Sequence, residues 1–155
     1  DHTSMNRIID HDISEFDSTW YLQTHCTNPL LRADTITDAF ETFVDDEHHD
    51  SMFSVTPLQT RLWDADGNPI NHERDELLRT QDLPPVYEEN SNMFIFSTDS
   101  FEKRDNRIGE EPMMYPMSET EAIDIDEPVD FRTAEFLHRD RYGKRPSPAE
   151  VAGHE

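Results

Sequence analysis

Trp20-Tyr21-Leu22-Gln23-Thr24 is a short aromatic and apolar run bounded by polar residues, and both composition and period change after it. The run reads as a β-strand. It leads into a loop over residues 25–33 containing Asn28-Pro29, where the residue before proline is pushed out of the helical region. Beyond the loop, Ile36, Ala39, Phe40, Phe43 and Val44 fall at i, i+3, i+4, i+7 and i+8, one face of an amphipathic helix with Asp34 as N-cap. Strand, loop and helix in that order are the winding unit of α/β proteins, which place ligands at the carboxyl ends of strands. Residues 23–32 are therefore a first candidate for chemistry, with a solvent-exposed turn as the bland alternative.

Downstream, residues 51–56 alternate as a strand, and residues 58–63 followed by Asp64-Ala65-Asp66-Gly67-Asn68-Pro69-Ile70 predict a hairpin with a glycine-containing turn. Residues 92–97 and 113–117 predict two more strands. A helix is expected over 128–139, with Pro128 in its first turn. Residues 140–155 hold two prolines, two glycines and few apolar side chains, and are expected to be a frayed tail. The alternation of helices and strands favours α/β.

Composition limits the partners. Thirteen Lys and Arg against thirty-five Asp and Glu leave 155 residues with a net charge of −22. Leu, Ile, Val and Phe make up about a fifth of the chain, near the composition where low hydrophobicity and high charge begin to predict disorder. A surface so acidic repels nucleic-acid phosphates and anionic lipid, and the arginines are scattered, so neither nucleic acid nor membrane is an expected partner. No apolar run is long enough to cross a bilayer, and residues 1–4 do not resemble a signal peptide, so the expected compartment is the cytoplasm. The single cysteine, Cys26, lacks neighbouring thiols for a disulfide or a structural zinc site.

Four segments carry candidate chemistry. In Ile123-Asp124-Ile125-Asp126, strand-like alternation puts both carboxylates on one face, an arrangement suited to a hard cation such as Mg²⁺ bridging to nucleotide phosphates. Solvated surface plus a helix cap is the alternative. Asp64-Ala65-Asp66-Gly67 has the wrong glycine position for a calcium loop and reads as a hairpin turn. Residues 79–90 form a polar loop with paired prolines and Arg79, suited to a carboxylate or sugar hydroxyls, or else to an ordinary rigid connection. The fourth is residues 23–32. His48 and His49 sit in an acidic run and read as solvated.

Taken in order, these segments resemble the acylneuraminate cytidylyltransferase family, enzymes that make CMP-activated sialic acids and related nonulosonates. The resemblance lies in Leu22-Gln23-Thr24-His25-Cys26-Thr27-Asn28-Pro29-Leu30-Leu31-Arg32, in residues 50–55, in Arg79-Thr80-Gln81-Asp82-Leu83-Pro84-Pro85-Val86-Tyr87 through Asn90, and in residues 123–126 followed by Asp130-Phe131 and Ala134-Glu135. It implies a partial Rossmann-like nucleotide-diphospho-sugar transferase fold with a mixed sheet and a dimerisation hairpin. It also implies transfer of CMP from CTP to a sugar acid, with release of pyrophosphate. Asp124 and Asp126 would be catalytic and would ligate Mg²⁺ or Mn²⁺. Gln23, Gln81, Asn90 and Phe94 would contact the sugar acid, and Arg61 or Arg79 would meet its carboxylate. Family members are typically homodimers in which a hairpin of one subunit completes the other's pocket; the corresponding stretch is residues 104–109, with Asn106 and Arg107 reaching a partner's site. A self-contained turn at Asn106 and Gly109 is the alternative.

The family opens with a glycine-containing basic loop that cradles the triphosphate, and no such cluster precedes Trp20; the four glycines are at 67, 109, 143 and 153. The expectation is a truncated cytidylyltransferase domain over residues 1–139, inactive by itself. Two rival readings are a non-catalytic module for sugar-acid binding or dimerisation, and an enzyme of the CMP-Kdo synthetase type. Retention of Asp124 and Asp126 speaks for an enzyme.

Overall fold

The computed structural model describes residues 4–16 and 18–143. Strand β1 (Trp20–Thr24) lies at one edge of a four-stranded sheet that also contains β2 (Ser51–Leu58), β3 (Val86–Ser97) and β4 (Pro112–Pro116), in the order β1-β3-β2-β4. β3 runs antiparallel to β1 and β2, and β2 runs parallel to β4, so the sheet is mixed, as expected. Helices α1 (Met5–Glu15), α2 (Ala33–Val44), α3 (Thr98–Arg104) and α4 (Pro128–Tyr142) complete an α/β fold, with a short 3₁₀ turn at Thr80–Asp82.

The centre of the sheet is β3, which is buried on both faces from Asn92 to Phe96. Successive side chains of a strand point to opposite faces. Met93 and Ile95 accordingly pack with Met52 and with Ala39 and Phe43 of α2, whereas Phe94 and Phe96 pack with Ile9 of α1 and Phe101 of α3. Emptying one of these sites, as in Phe43→Ala, costs about 3–5 kcal/mol. Trp20 closes the α2 side edge-on to Phe43, with ring centroids 5.1 Å apart.

Beyond Val55 and Glu89 only β2 and β3 remain paired, out to Leu58 and Val86, so a two-stranded ribbon leaves the sheet. Residues 59–85 cap it as a lobe. The turn expected there is present: Asp64 accepts the Asp66 and Asn68 amides at 3.0 and 2.7 Å, Gly67 takes φ +80°, and Trp63 bridges to Pro69.

Several expectations are corrected. The N-cap of α2 is Arg32, and Asp34 sits in the first turn, paired to Arg32 at 3.0 Å and favourably placed for the helix dipole. β3 is 12 residues long, because its exposed acidic half pairs with β2. Residues 104–109 form no hairpin: Arg104 ends α3, Asp105 caps it at φ +51°, and the chain runs irregularly to β4. Residues 123–125 are not a strand, since the backbone facing them is the loop after β1, which supplies an acceptor only at Thr27 (Ile125 N to Thr27 O, 2.9 Å). α4 continues past Arg139 to Tyr142; residues 144–155 of the expected tail lie outside the described residues. α1 and α3 have no counterpart in the expected elements. No helix among the described residues is long and apolar enough to cross a membrane.

Candidate functional site

The loop after β1 and the acidic segment before α4 are built against each other. Asn28, buried, donates to the Ile123 carbonyl at 3.3 Å, and Asn92 of β3, fully buried, donates to the Glu121 carbonyl at 2.7 Å. Glu121 in turn accepts from the Thr35 hydroxyl at 2.6 Å and from the Arg32 amide at 3.4 Å, tying the segment to the start of α2. Asp130 accepts the amides of Asp126 and Glu127 at 3.2 and 2.8 Å and so fixes the entry to α4, where Pro128 stands in the first turn.

The two aspartates are unequal. Asp124 is half-buried, and its Oδ1 is shielded from solvent without a hydrogen-bond partner; Asp126 is exposed. The strand-like expectation of two equivalent carboxylates on one face is therefore replaced by one inner and one outer acid. A shielded carboxylate oxygen without a donor is costly unless something positive meets it. A divalent cation fits that requirement, and two carboxylates with water and phosphate oxygens suffice for Mg²⁺. No group of three or more His, Cys, Asp or Glu side chains suited to a metal occurs among the described residues, so any such ion depends on non-protein ligands. Behind this segment, Pro29, Leu30, Ile125, Phe131 and Ala134 line an apolar cleft of about 340 Å³ whose polar rim includes Glu135, His138 and Arg139.

Gln23, the penultimate residue of β1, lies directly opposite Phe94 of β3. Arg107 reaches the same place from the α3–β4 loop: its guanidinium lies 3.5 Å from the Phe94 ring centroid and donates to Gln23 Oε1 at 3.0 Å. His25 Nε2 is 3.3 Å from the same Arg107 nitrogen, and its ring meets Phe94 edge-on. Burial pushes the Arg107 guanidinium down, and the charge of Glu89 pulls it back up. Arg107 thus lies against its own chain, where the expectation placed it in a partner's site. Asn106 turns the loop, accepting the Ile108 amide at 2.9 Å.

The other expected substrate contacts do not gather here. Arg61 donates to Leu78 O and to Thr80 Oγ1, and Arg79 pairs with Asp82 at 2.7 Å, both within the lobe. Gln81 is exposed in the 3₁₀ turn of that lobe. The lobe leaves β3 at Val86, eight residues from Phe94, and at ~3.3 Å per residue that is roughly 26 Å of strand. One chain does not bring Arg61, Arg79 and Gln81 to Gln23. Asn90 is occupied structurally: it accepts from Ser54 Oγ at 2.6 Å and donates to Thr56 Oγ1 at 3.0 Å.

Sequence reasoning missed His25, Asn28, Asn92 and Glu121 as parts of this framework. The first two stand inside the stretch that pointed to the site, whereas nothing local to Asn92 or Glu121 announces a partner 29 residues away.

An α/β sheet whose strand-end loop packs against an acidic segment with a shielded carboxylate oxygen, with a guanidinium beside the same strand, frames the candidate site. Residues 1–141 match the model of the family described as Cytidylyltransferase, and the chain belongs to that family. It is similar to the post-translational flagellin modification protein B of Campylobacter coli, 26% identical over 118 residues that cover 73% of this chain and 50% of that protein. It is also similar to the CMP-N,N'-diacetyllegionaminic acid synthase of Campylobacter jejuni subsp. jejuni, 35% identical over 57 residues, 37% of this chain and 24% of the relative. The chain spans half the length, or less, of these curated relatives.

Proposed function

We propose that the protein transfers CMP from CTP to a sialic-acid-like nonulosonic acid. The sugar's anomeric oxygen bonds to the α-phosphorus, the bond to the leaving pyrophosphate breaks, and the hydroxyl proton passes to solvent or a nearby base. Because charge builds on phosphoryl oxygens, positioning and electrostatics do most of the work. Asp124 and Asp126 would hold Mg²⁺ or Mn²⁺, which when bound offsets the triphosphate's charge. Asp130 and Glu121 hold the backbone on either side of these acids, and Gln23 and Phe94 floor the sugar site. The observation that carries this reading is the shielded, unpartnered Asp124 Oδ1 beside the loop that Gln23 opens, in a chain of this family. The sugar class is supported by the name of the Campylobacter jejuni relative, a CMP-N,N'-diacetyllegionaminic acid synthase.

The protein would act as a homodimer in the cytoplasm, where CTP is found. The projecting ribbon supports the dimer: its lobe exposes Trp63, Ile70 and Leu77, the last 94% accessible, and carries Arg61, Arg79 and Gln81 away from its own Gln23. A second subunit would cover that apolar surface and receive those polar groups. The test is mass-spectrometric detection of product from the full-length protein supplied with CTP, Mg²⁺ and a panel of nine-carbon 2-keto sugar acids. A CMP-sugar is expected; a panel giving none, or equal use of UTP, would refute the reading.

A further inference from the structure

We propose that Arg132, Phe136 and Asp140 of α4 form a self-complementary ridge on which a second copy of this chain docks antiparallel. The contact is separate from the ribbon lobe and does not depend on the chemistry proposed above.

The ridge faces outward. α4 packs on its own chain through buried Ala134 and half-buried Asp130, Leu137 and Arg141, the last donating to the Leu30 carbonyl at 2.9 Å. Arg132, Phe136 and Asp140 stand at i, i+4 and i+8 on the side turned away, one of the rows by which helices interdigitate. Val129 and Phe136 are 64% and 68% exposed there, and Thr133 between them gives its hydroxyl to the Val129 carbonyl at 3.0 Å, so the middle of this surface is apolar. Arg132 and Asp140 are exposed and form no ion pair among the described residues; the pair within α4 is Glu135 with Arg139.

The two charges lie symmetrically about Phe136, four residues to either side. Laid antiparallel on a second copy, the ridge sets Phe136 beside the partner's Phe136 and each Arg132 against the partner's Asp140, an isologous contact with reciprocal ion pairs around an aromatic centre. Laid parallel, it would set arginine on arginine and aspartate on aspartate. That selection matters in a chain of net charge −22, whose copies otherwise repel one another. A 15-residue helix is roughly 22 Å long and 10 Å wide, well under the roughly 800 Å² per partner of a standard stable interface. The contact is therefore reversible and concentration-dependent, and it adds to a lobe contact instead of replacing it.

The test is sedimentation velocity of the full-length protein over a range of protein concentrations in about 0.15 M salt, where a Debye length of about 8 Å screens the distant repulsion but spares charges in contact. The wild type is expected to form a reversible species of twice the mass of the one that persists on dilution. Arg132→Glu alone and Asp140→Arg alone should each weaken that association at least about tenfold, because two exposed pairs turn from attractive to repulsive. An equimolar mixture of the two single variants should recover it, since each arginine then meets an acid, and so should the Arg132→Glu, Asp140→Arg double variant. Recovery on mixing also shows that the single variants are folded, and Phe136→Ser, which removes the aromatic centre without touching charge, should weaken the association independently. A wild type that keeps one mass across the range overturns the proposal, as it would if the remainder of the full-length protein covered α4. Association untouched by the charge and Phe136 changes, or single variants that stay apart on mixing, overturns it as well.

Discussion

Asn90 sits where β2 and β3 lose register: Phe53 pairs with Phe94, but Val55 already pairs with Glu89, so residues 90–92 bulge from β3. Its side chain satisfies Ser54, Thr56 and the Asn92 amide at once, and the Met93 amide donates to Ser54 Oγ at 2.9 Å. Asn90→Ala should therefore lower unfolding stability by about 1–3 kcal/mol, measured by urea titration, because it strands buried partners. Sugar-acid affinity should stay within about threefold of the wild type, well under the effect of losing a charge-assisted contact. Gln23→Ala should do the reverse, raising KM for the sugar acid at little cost in stability, since Gln23 is half-exposed at an edge strand and touches Arg107 and Met5.

Two elements carry testable backbone and pH effects. Ser91 occupies the left-handed region at φ +52° in the bulge, a conformation that costs an L-residue roughly 1–2 kcal/mol. Ser91→Gly is expected to stabilise the fold by roughly 0.5–1 kcal/mol after the extra freedom of glycine in the unfolded chain is subtracted, a gain visible in the urea midpoint. The Asp50 carboxylate clasps the α3–β4 loop by accepting the amides of Glu110 at 2.8 Å and Glu111 at 3.1 Å, and this clasp sets an acid limit on the loop. Burial raises the Asp50 pKa, but the Glu110 and Glu111 amides and the Ser51 hydroxyl outweigh it and hold the carboxyl below its ordinary value. A depressed carboxyl contributes stability fully above its unfolded pKa of about 3.9 and loses it as pH falls through the folded value. The stability gap between wild type and Asp50→Asn should therefore be flat from neutral pH to about 5 and close below about 4. A gap that widens on acidification would contradict this account of the clasp. At this scale the sequence was legible where period and burial agree. α2 presents one apolar face, and Ala39 and Phe43, which belong to it, are buried in the core. α3 was illegible because seven residues show no period; it is held by the Ser97–Ser100 capping box and by Phe101 in the core. α1 carries Met5, Ile8, Ile9 and Ile13 at helical spacing, but in so polar a setting that only Ile9 is buried. Gln23 and Asp124 could be found from their strings, whereas the Arg107–Gln23 contact joins residues 84 apart and leaves no local trace.

For the whole molecule, charge and an open architecture dominate. With a net charge of −22, the folded state repels itself, and salt screens that repulsion within about 10 Å at 0.1 M. The unfolding midpoint of the full-length protein should rise between low salt and roughly molar KCl; a flat or falling midpoint would show that self-repulsion does not limit stability. The ribbon and its lobe give the second whole-molecule consequence. If Arg61, Arg79 and Gln81 serve a partner's site, Arg79→Ala should weaken sugar-acid use in the dimer and be complemented by a co-expressed Asp124→Ala subunit. This scheme also depends on the inner aspartate. The most direct measurement is turnover of full-length Asp124→Asn and Asp126→Asn against wild type with CTP and sugar acid, alongside Mn²⁺ affinity in the presence of CTP. The account predicts Asp124→Asn to be at least about 100-fold slower with weakened Mn²⁺ binding, the loss expected when charge stabilisation is removed from such a centre. Wild-type turnover and wild-type Mn²⁺ affinity in Asp124→Asn would contradict it.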